Sequence, residues 1–149
     1  MASVKASKTT KTLDTQKAST KERYFYATGG RKTAQASVRL RMKKGGFTIN
    51  GKEYAQYFRL PSHQSIVISP LTLTKLFDEA SAEVKVKGGG LHAQAEAVRN
   101  AVAKALVKFK EDLKKSLRRE GFISRDSRMV ERKKYGLKKA RRAPQWAKR

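Results

Sequence analysis

From Leu91 onward, apolar residues recur at Ala95, Val98, Val102, Ala105, Leu106, Phe109, Leu113 and Leu117. Steps of three and four place them on one face of an α-helix, so the run predicts a single helix, with Gly121 as its C-terminal cap. Beside this stripe, Ala93, Ala97, Ala101 and Ala105 form a row of small residues one turn apart. A row without bulk lets a helix settle close against a neighbour. The chain must supply a layer for that helix to lie on.

The layer is legible upstream. Ala34, Ala36, Val38, Leu40 and Met42 alternate with Gln35, Ser37, Arg39 and Arg41, the period of a strand with one face on a core. Tyr24 to Tyr26 reads as a short aromatic strand, with Gly29-Gly30-Arg31-Lys32 as the turn after it. Lys43 to Gly46 is a second turn. Phe47 to Ile49 is another strand, closed by the hairpin signal Asn50-Gly51, since both residue types tolerate positive φ. Tyr54–Arg59 and Ser62–Ile68 read as short turns. Ser69-Pro70 reads as a helix start, with Leu73, Leu76, Phe77 and Ala80 at helical spacing behind it. Val84 and Val86 alternate with outward Lys85 and Lys87. Gly88-Gly89-Gly90 then leads into the long helix. The fold class is α/β (α+β): one small sheet with helices packed on one face.

The C-terminal stretch behaves differently. Half of residues 132–149 are Lys or Arg, none is acidic, and the few apolar residues keep no period. Such a segment buries too little to offset its own ordering. It gains most by laying its cations along phosphates and releasing counterions, with Tyr135 and Trp146 as flat faces for bases. Fully extended it would reach roughly 60 Å. The net charge of +24 divides as +4 over residues 1–23, +10 over 24–117 and +10 over 118–149. The middle of the chain is therefore basic in its own right, which points to a partner carrying phosphate on several sides.

Other classes lack residues. Cysteine is absent, which removes disulfides and thiolate metal sites. No apolar run approaches the ~20 residues of a membrane span. His63 and His92 stand alone in sequence, and the scattered acids form no catalytic motif. The triple glycine fits neither nucleotide-binding spacing, so it reads as a tight turn with close backbone packing. No cofactor and no enzymatic activity are expected. Residues 1–22 are rich in Ser, Thr, Lys and Ala and read as a flexible extension; a transit peptide is the lesser reading, because no arginine precedes Arg23.

The basic positions form two groups. Arg31, Lys32, Arg39, Arg41, Lys43 and Lys44 lie on or beside strands, so the body would present them as a fixed patch. Arg125, Arg128, Arg132, Lys133, Lys134, Lys138, Lys139, Arg141 and Arg142 lie in the tail. Asp126, between two of them, would hold an arginine by a local ion pair worth under ~1 kcal/mol if exposed, orienting it for RNA.

GGGLHAQAEAVRNAVAKAL (residues 88–106) and GFISRDSRMVERKKYGLKKARRAPQWAKR (121–149) resemble the S-nine family of small-subunit ribosomal proteins, bacterial type. YATGGRKTAQASVRL, FTINGKEYAQYF and PLTL support the resemblance, which covers roughly residues 23–149. It implies a ribosomal S-five second-domain-like body over 23–122 with a left-handed βαβ crossover, and an extended tail over 123–149. It also implies binding to small-subunit rRNA in the subunit head, among neighbouring head proteins of a cytoplasmic ribosome. The basic residues above, with Tyr135, Gln145 and Trp146, would contact rRNA, and Lys148 and Arg149 would reach peptidyl-site tRNA. The chain departs from the pattern at Gly30, where arginine is common, at Trp146, where phenylalanine is usual, and in its longer N-terminal extension. From charge alone, a free architectural nucleic-acid binder is the competing class.

Overall fold

A computed structural model describes residues 23–148. The chain runs β1 (Phe25–Arg31), β2 (Ala34–Arg41), β3 (Phe47–Ile49), β4 (Lys52–Glu53), α1 (Tyr54–Tyr57), α2 (Pro61–Leu73), β5 (Ser81–Lys87), α3 (Leu91–Phe109) and α4 (Leu113–Arg119). The strands form one mixed sheet in the order β1-β2-β5-β3-β4. Among the described residues only β3 and β5 pair in parallel, and the segment carrying α1 and α2 makes the βαβ connection between them. The fold is α+β, with helices packed on a single open sheet, as the patterning required.

Alternation in β2 and β5 behaves as read. Ala34, Ala36, Val38 and Leu40 face the core, as do Ala82, Val84 and Val86. The β3–β4 turn places Asn50 at φ 50° and Gly51 at φ 80°, the paired positive values of a two-residue hairpin. Asn50 also lengthens the parallel pairing: its side chain accepts from the Val86 amide at 2.9 Å and donates to the Val86 carbonyl at 3.1 Å.

Four expectations are corrected. β1 continues through Gly29, Gly30 and Arg31, and the turn falls at Lys32, whose φ is +51°. The strand carries glycine there because α3 crosses it. A Cβ on Gly29 would collide with the Ala97 carbonyl oxygen and the Ala101 nitrogen. The alanine row of α3 had announced this close approach without naming its partner.

The helix expected from Ser69-Pro70 instead begins at Pro61, at the first helical position, and ends at Leu73. Pro70 lies inside it and is buried. Proline leaves the carbonyl four residues back without its usual donor; here Ser69 Oγ donates to that Ile66 oxygen at 2.8 Å. Lys75 at φ +56° then turns the chain away, so Leu76 to Ala80 lie outside the helix. Ser62–Ile68, read as a turn, is accordingly helical.

The long apolar stripe is divided. α3 stops at Phe109, Lys110 is extended, and α4 carries Leu113 and Leu117. At 19 residues, α3 is about 28 Å long, already longer than the strands beneath it. A break lets Leu117 return to full burial where a straight continuation would carry it past the sheet. After α4, Gly121 at φ +72° ends the helix, with Phe122 N–H donating to Leu117 O and Gly121 N–H to Arg118 O. That pair of bonds is the Schellman closure.

The triple glycine packs as read. A Cβ on Gly88 would lie 2.7 Å from the Thr33 oxygen, and one on Gly89 would lie 2.8 Å from Ala34 Cβ. No helix among the described residues is long and apolar enough to cross a membrane.

Candidate nucleic-acid interface

α3 lies on one face of the sheet, and α2 and α4 pack against α3. The opposite face is open, and the register decides what it displays. Tyr26 stands beside Arg39 and Arg39 beside Glu83; Thr28, Ser37 and Lys85 form the next row, and Gly30, Gln35 and Lys87 the one after. Tyr24 and Tyr26 are about half exposed, and the Arg39 guanidinium lies 5.6 Å from the Tyr24 ring centroid. Glu83 is the acid among these rows, 3.8 Å from Arg39 and 3.9 Å from Arg41. Lys43 and Lys44 extend the basic surface into the β2–β3 turn. Sequence reasoning left Tyr24, Tyr26, Lys85 and Lys87 out of the site. Their shared strand parity was the signal that would have placed them with Arg39 and Arg41.

Arg31 and Lys32 are neighbours in sequence but do different work. Lys32 is exposed at the tip of the β1–β2 turn. Arg31 points to the helix side of the sheet, where its side chain is only 13% exposed. Its Nε meets Glu96 of α3 at 2.6 Å, its Nη1 donates to the Arg128 carbonyl at 3.0 Å, and its Nη2 meets Asp126 at 3.0 Å. Every guanidinium nitrogen is thus engaged within the protein. Asp126 in turn receives the Arg128 backbone N–H at 2.9 Å and its guanidinium at 2.7 Å. The Arg128 side-chain bonds, then its backbone N–H, hold the Asp126 carboxyl well below the usual carboxylate range. Asp126 therefore does orient an arginine, as expected, but it also joins the tail to the body.

The start of the tail is fastened along its length. Asn100, buried in α3, donates to the carbonyls of Phe122, Ile123 and Ser124 at 2.9, 2.8 and 3.2 Å. The Arg99 guanidinium lies 5.2 Å from the Phe122 ring centroid, and Arg125 donates to the Lys32 carbonyl at 3.3 Å. Docking therefore extends through Arg128.

Beyond it the cations are in water. Arg132, Lys133, Lys134, Lys138, Lys139, Arg141, Arg142, Gln145 and Lys148 are exposed, as are Tyr135 and Trp146; Arg149 lies outside the described residues. The tail also has internal fastenings that its composition did not show, among them the Lys138 N–H donating to the Arg142 carbonyl at 2.8 Å. Glu131, just upstream of the acid-free run, accepts from Arg141 Nε at 3.0 Å. This closes a basic loop that turns at Gly136, φ +76°. The Arg141 bonds also draw the Glu131 carboxyl below its ordinary range.

The interface so assembled is a half-aromatic basic sheet face and a clamped polycation. A family model described as ribosomal protein S9/S16 matches residues 29–149, which include both surfaces. The chain belongs to the ribosomal protein S9/S16 family. Members of this family are structural, non-enzymatic constituents of the ribosome, with ribosomal RNA and other ribosomal proteins as partners. For this S9/S16-family chain the family implies a structural, non-enzymatic place in the ribosome. His63 and His92, isolated in sequence, come together with ring centroids 5.5 Å apart, yet no group of three potential metal ligands occurs among the described residues.

Proposed function

We propose that the chain is a structural protein of the small-subunit head in a cytoplasmic ribosome. Its body rests on small-subunit rRNA through Lys32, Arg39, Arg41, Lys43 and Lys44. Arg125 and Arg128 sit at the junction, and the run from Arg132 to Arg142, with Tyr135, Gln145 and Trp146, follows rRNA by shape and phosphate rather than by base sequence. Arg31 serves this interface from within, by holding Asp126 and the Arg128 carbonyl. Lys148 and Arg149 reach the peptidyl-site tRNA.

The observation that carries this reading is the clamp at Asn100 and Arg31. A tail meant only for loose attraction to polyanions needs no fixed departure point, whereas a tail threaded into folded RNA does. Two measurements test it. The native protein should sediment with the small subunit, at about one copy per particle, at salt that screens loose polycation binding. Removing Lys148 and Arg149 should weaken peptidyl-site tRNA retention while leaving subunit assembly intact. Sedimentation at the top of the gradient, or collapse of assembly in the truncated protein, refutes it.

A further inference from the structure

Gly30 opens a cleft in the exposed sheet face. The cleft has a volume of about 660 Å³, within the range of small-ligand sites. Its floor is Gly30 with the short polar side chains of Gln35 and Ser37. Tyr26, four residues along the same face of β1, lines one end, and Arg125, whose guanidinium carbon would lie 3.4 Å from a Cβ on Gly30, lines the other. Lys85, Lys87 and, reaching in from α3, Lys104 also line the cleft, and no carboxylate does.

We propose that this cleft receives an unpaired nucleotide of RNA. Its chemistry selects that occupant over others. A phenol ring and a guanidinium plane are both stacking surfaces for a nucleobase. The amide of Gln35 and the hydroxyl of Ser37 offer donors and acceptors to a base edge. The ammonium groups take the flanking phosphates. A base paired within a duplex cannot enter, so the site favours bulges and loops, the form in which RNA exposes its bases. The space depends on glycine at position 30, since a larger side chain there would occupy it.

The proposal rests on the RNA-binding reading above and adds a preference that charge alone does not give. The test uses the full chain at moderately high salt, with two RNA hairpins of equal length, one fully paired and one carrying a single unpaired adenosine. The expected result is about tenfold tighter binding of the bulged hairpin. Tyr26→Leu, which keeps apolar bulk, and Gly30→Phe, which fills the cleft, should each bring the two affinities together. Gly30→Ala, whose Cβ would make only ordinary contacts at 3.4 Å, should keep the preference and control for folding. Lys138→Gln with Lys139→Gln should lower both affinities in parallel. Equal affinities in the native protein, or a preference that survives both Tyr26→Leu and Gly30→Phe, overturns the site while leaving RNA binding in place. Failure to bind either hairpin removes the RNA-binding reading, and the site with it.

Discussion

Gly29 and Ala101 touch through their backbones: a Cβ on Gly29 would sit 2.5 Å from the Ala101 nitrogen. Neither partner can yield, because one lies in a paired strand and the other in the middle of a 19-residue helix. Gly29→Ala should therefore lift α3 from β1 and cost about 3 kcal/mol, as overpacking against backbone does. The adjacent Gly30→Ala should be close to neutral. Urea unfolding of both variants checks the contrast, and equal midpoints would refute it.

Asn100 is a buried polar side chain whose amide serves successive tail carbonyls. Asn100→Ala leaves those acceptors short of a donor and should destabilise by about 2 kcal/mol. The tail root should loosen further than the body. Trypsin cleavage after Arg125 and Arg128 should accelerate well before the sheet unfolds; cleavage only on global unfolding would show that the clamp lies elsewhere.

The Asp126 clamp has a defined pH dependence. Its carboxyl is depressed in the folded chain, so its contribution is complete above the ordinary carboxylate pKa and is lost progressively as pH falls from there through the depressed one. The carboxyl signal of Asp126 should not titrate between roughly pH 5 and 3 in an NMR titration. The tail root should stay docked across that interval. Asp126→Asn should loosen docking at neutral pH, where the native carboxylate is charged. A midpoint near the ordinary value would mean that Arg128 and Arg31 do not hold the carboxylate in solution.

Pro70 inside α2 depends on its neighbour. Ser69→Ala removes the donor to the Ile66 carbonyl and should cost about 1 kcal/mol. Ser69→Thr, which keeps the hydroxyl, should recover much of it. Thermal melts of the pair decide.

Strand parity and helical period made the sheet, its buried face and α3 legible in advance. The places where they misled share a cause. Ser69-Pro70 has the composition of a helix start, but a serine hydroxyl replaced the missing amide, and no local pattern reveals that exchange. Leu113 and Leu117 stay in helical register with α3, although the chain breaks at Lys110 to bring Leu117 home. The role of Arg31 was hidden for the same reason, since Glu96 and Asp126 meet it only after the fold has closed. Basic residues advertise phosphate whether or not a carboxylate has already claimed them. Tyr24 and Tyr26 read only as part of a short aromatic strand, which does not tell which face of the sheet their rings take.

The crossing of β1 by α3 also sets a timetable. The strand is among the first parts of the body to be synthesised, yet its cover includes Ala97 and Ala101, about seventy residues later. At translation speeds of ~5–20 residues per second, β1 waits several seconds for the surface that buries it. During that interval Phe25 and the apolar face of β2 lack their helix, and early β pairing must survive without its main hydrophobic support. Asn100 emerges in the same turn as Ala101, so the element that completes the body also readies the grip for the tail still to come.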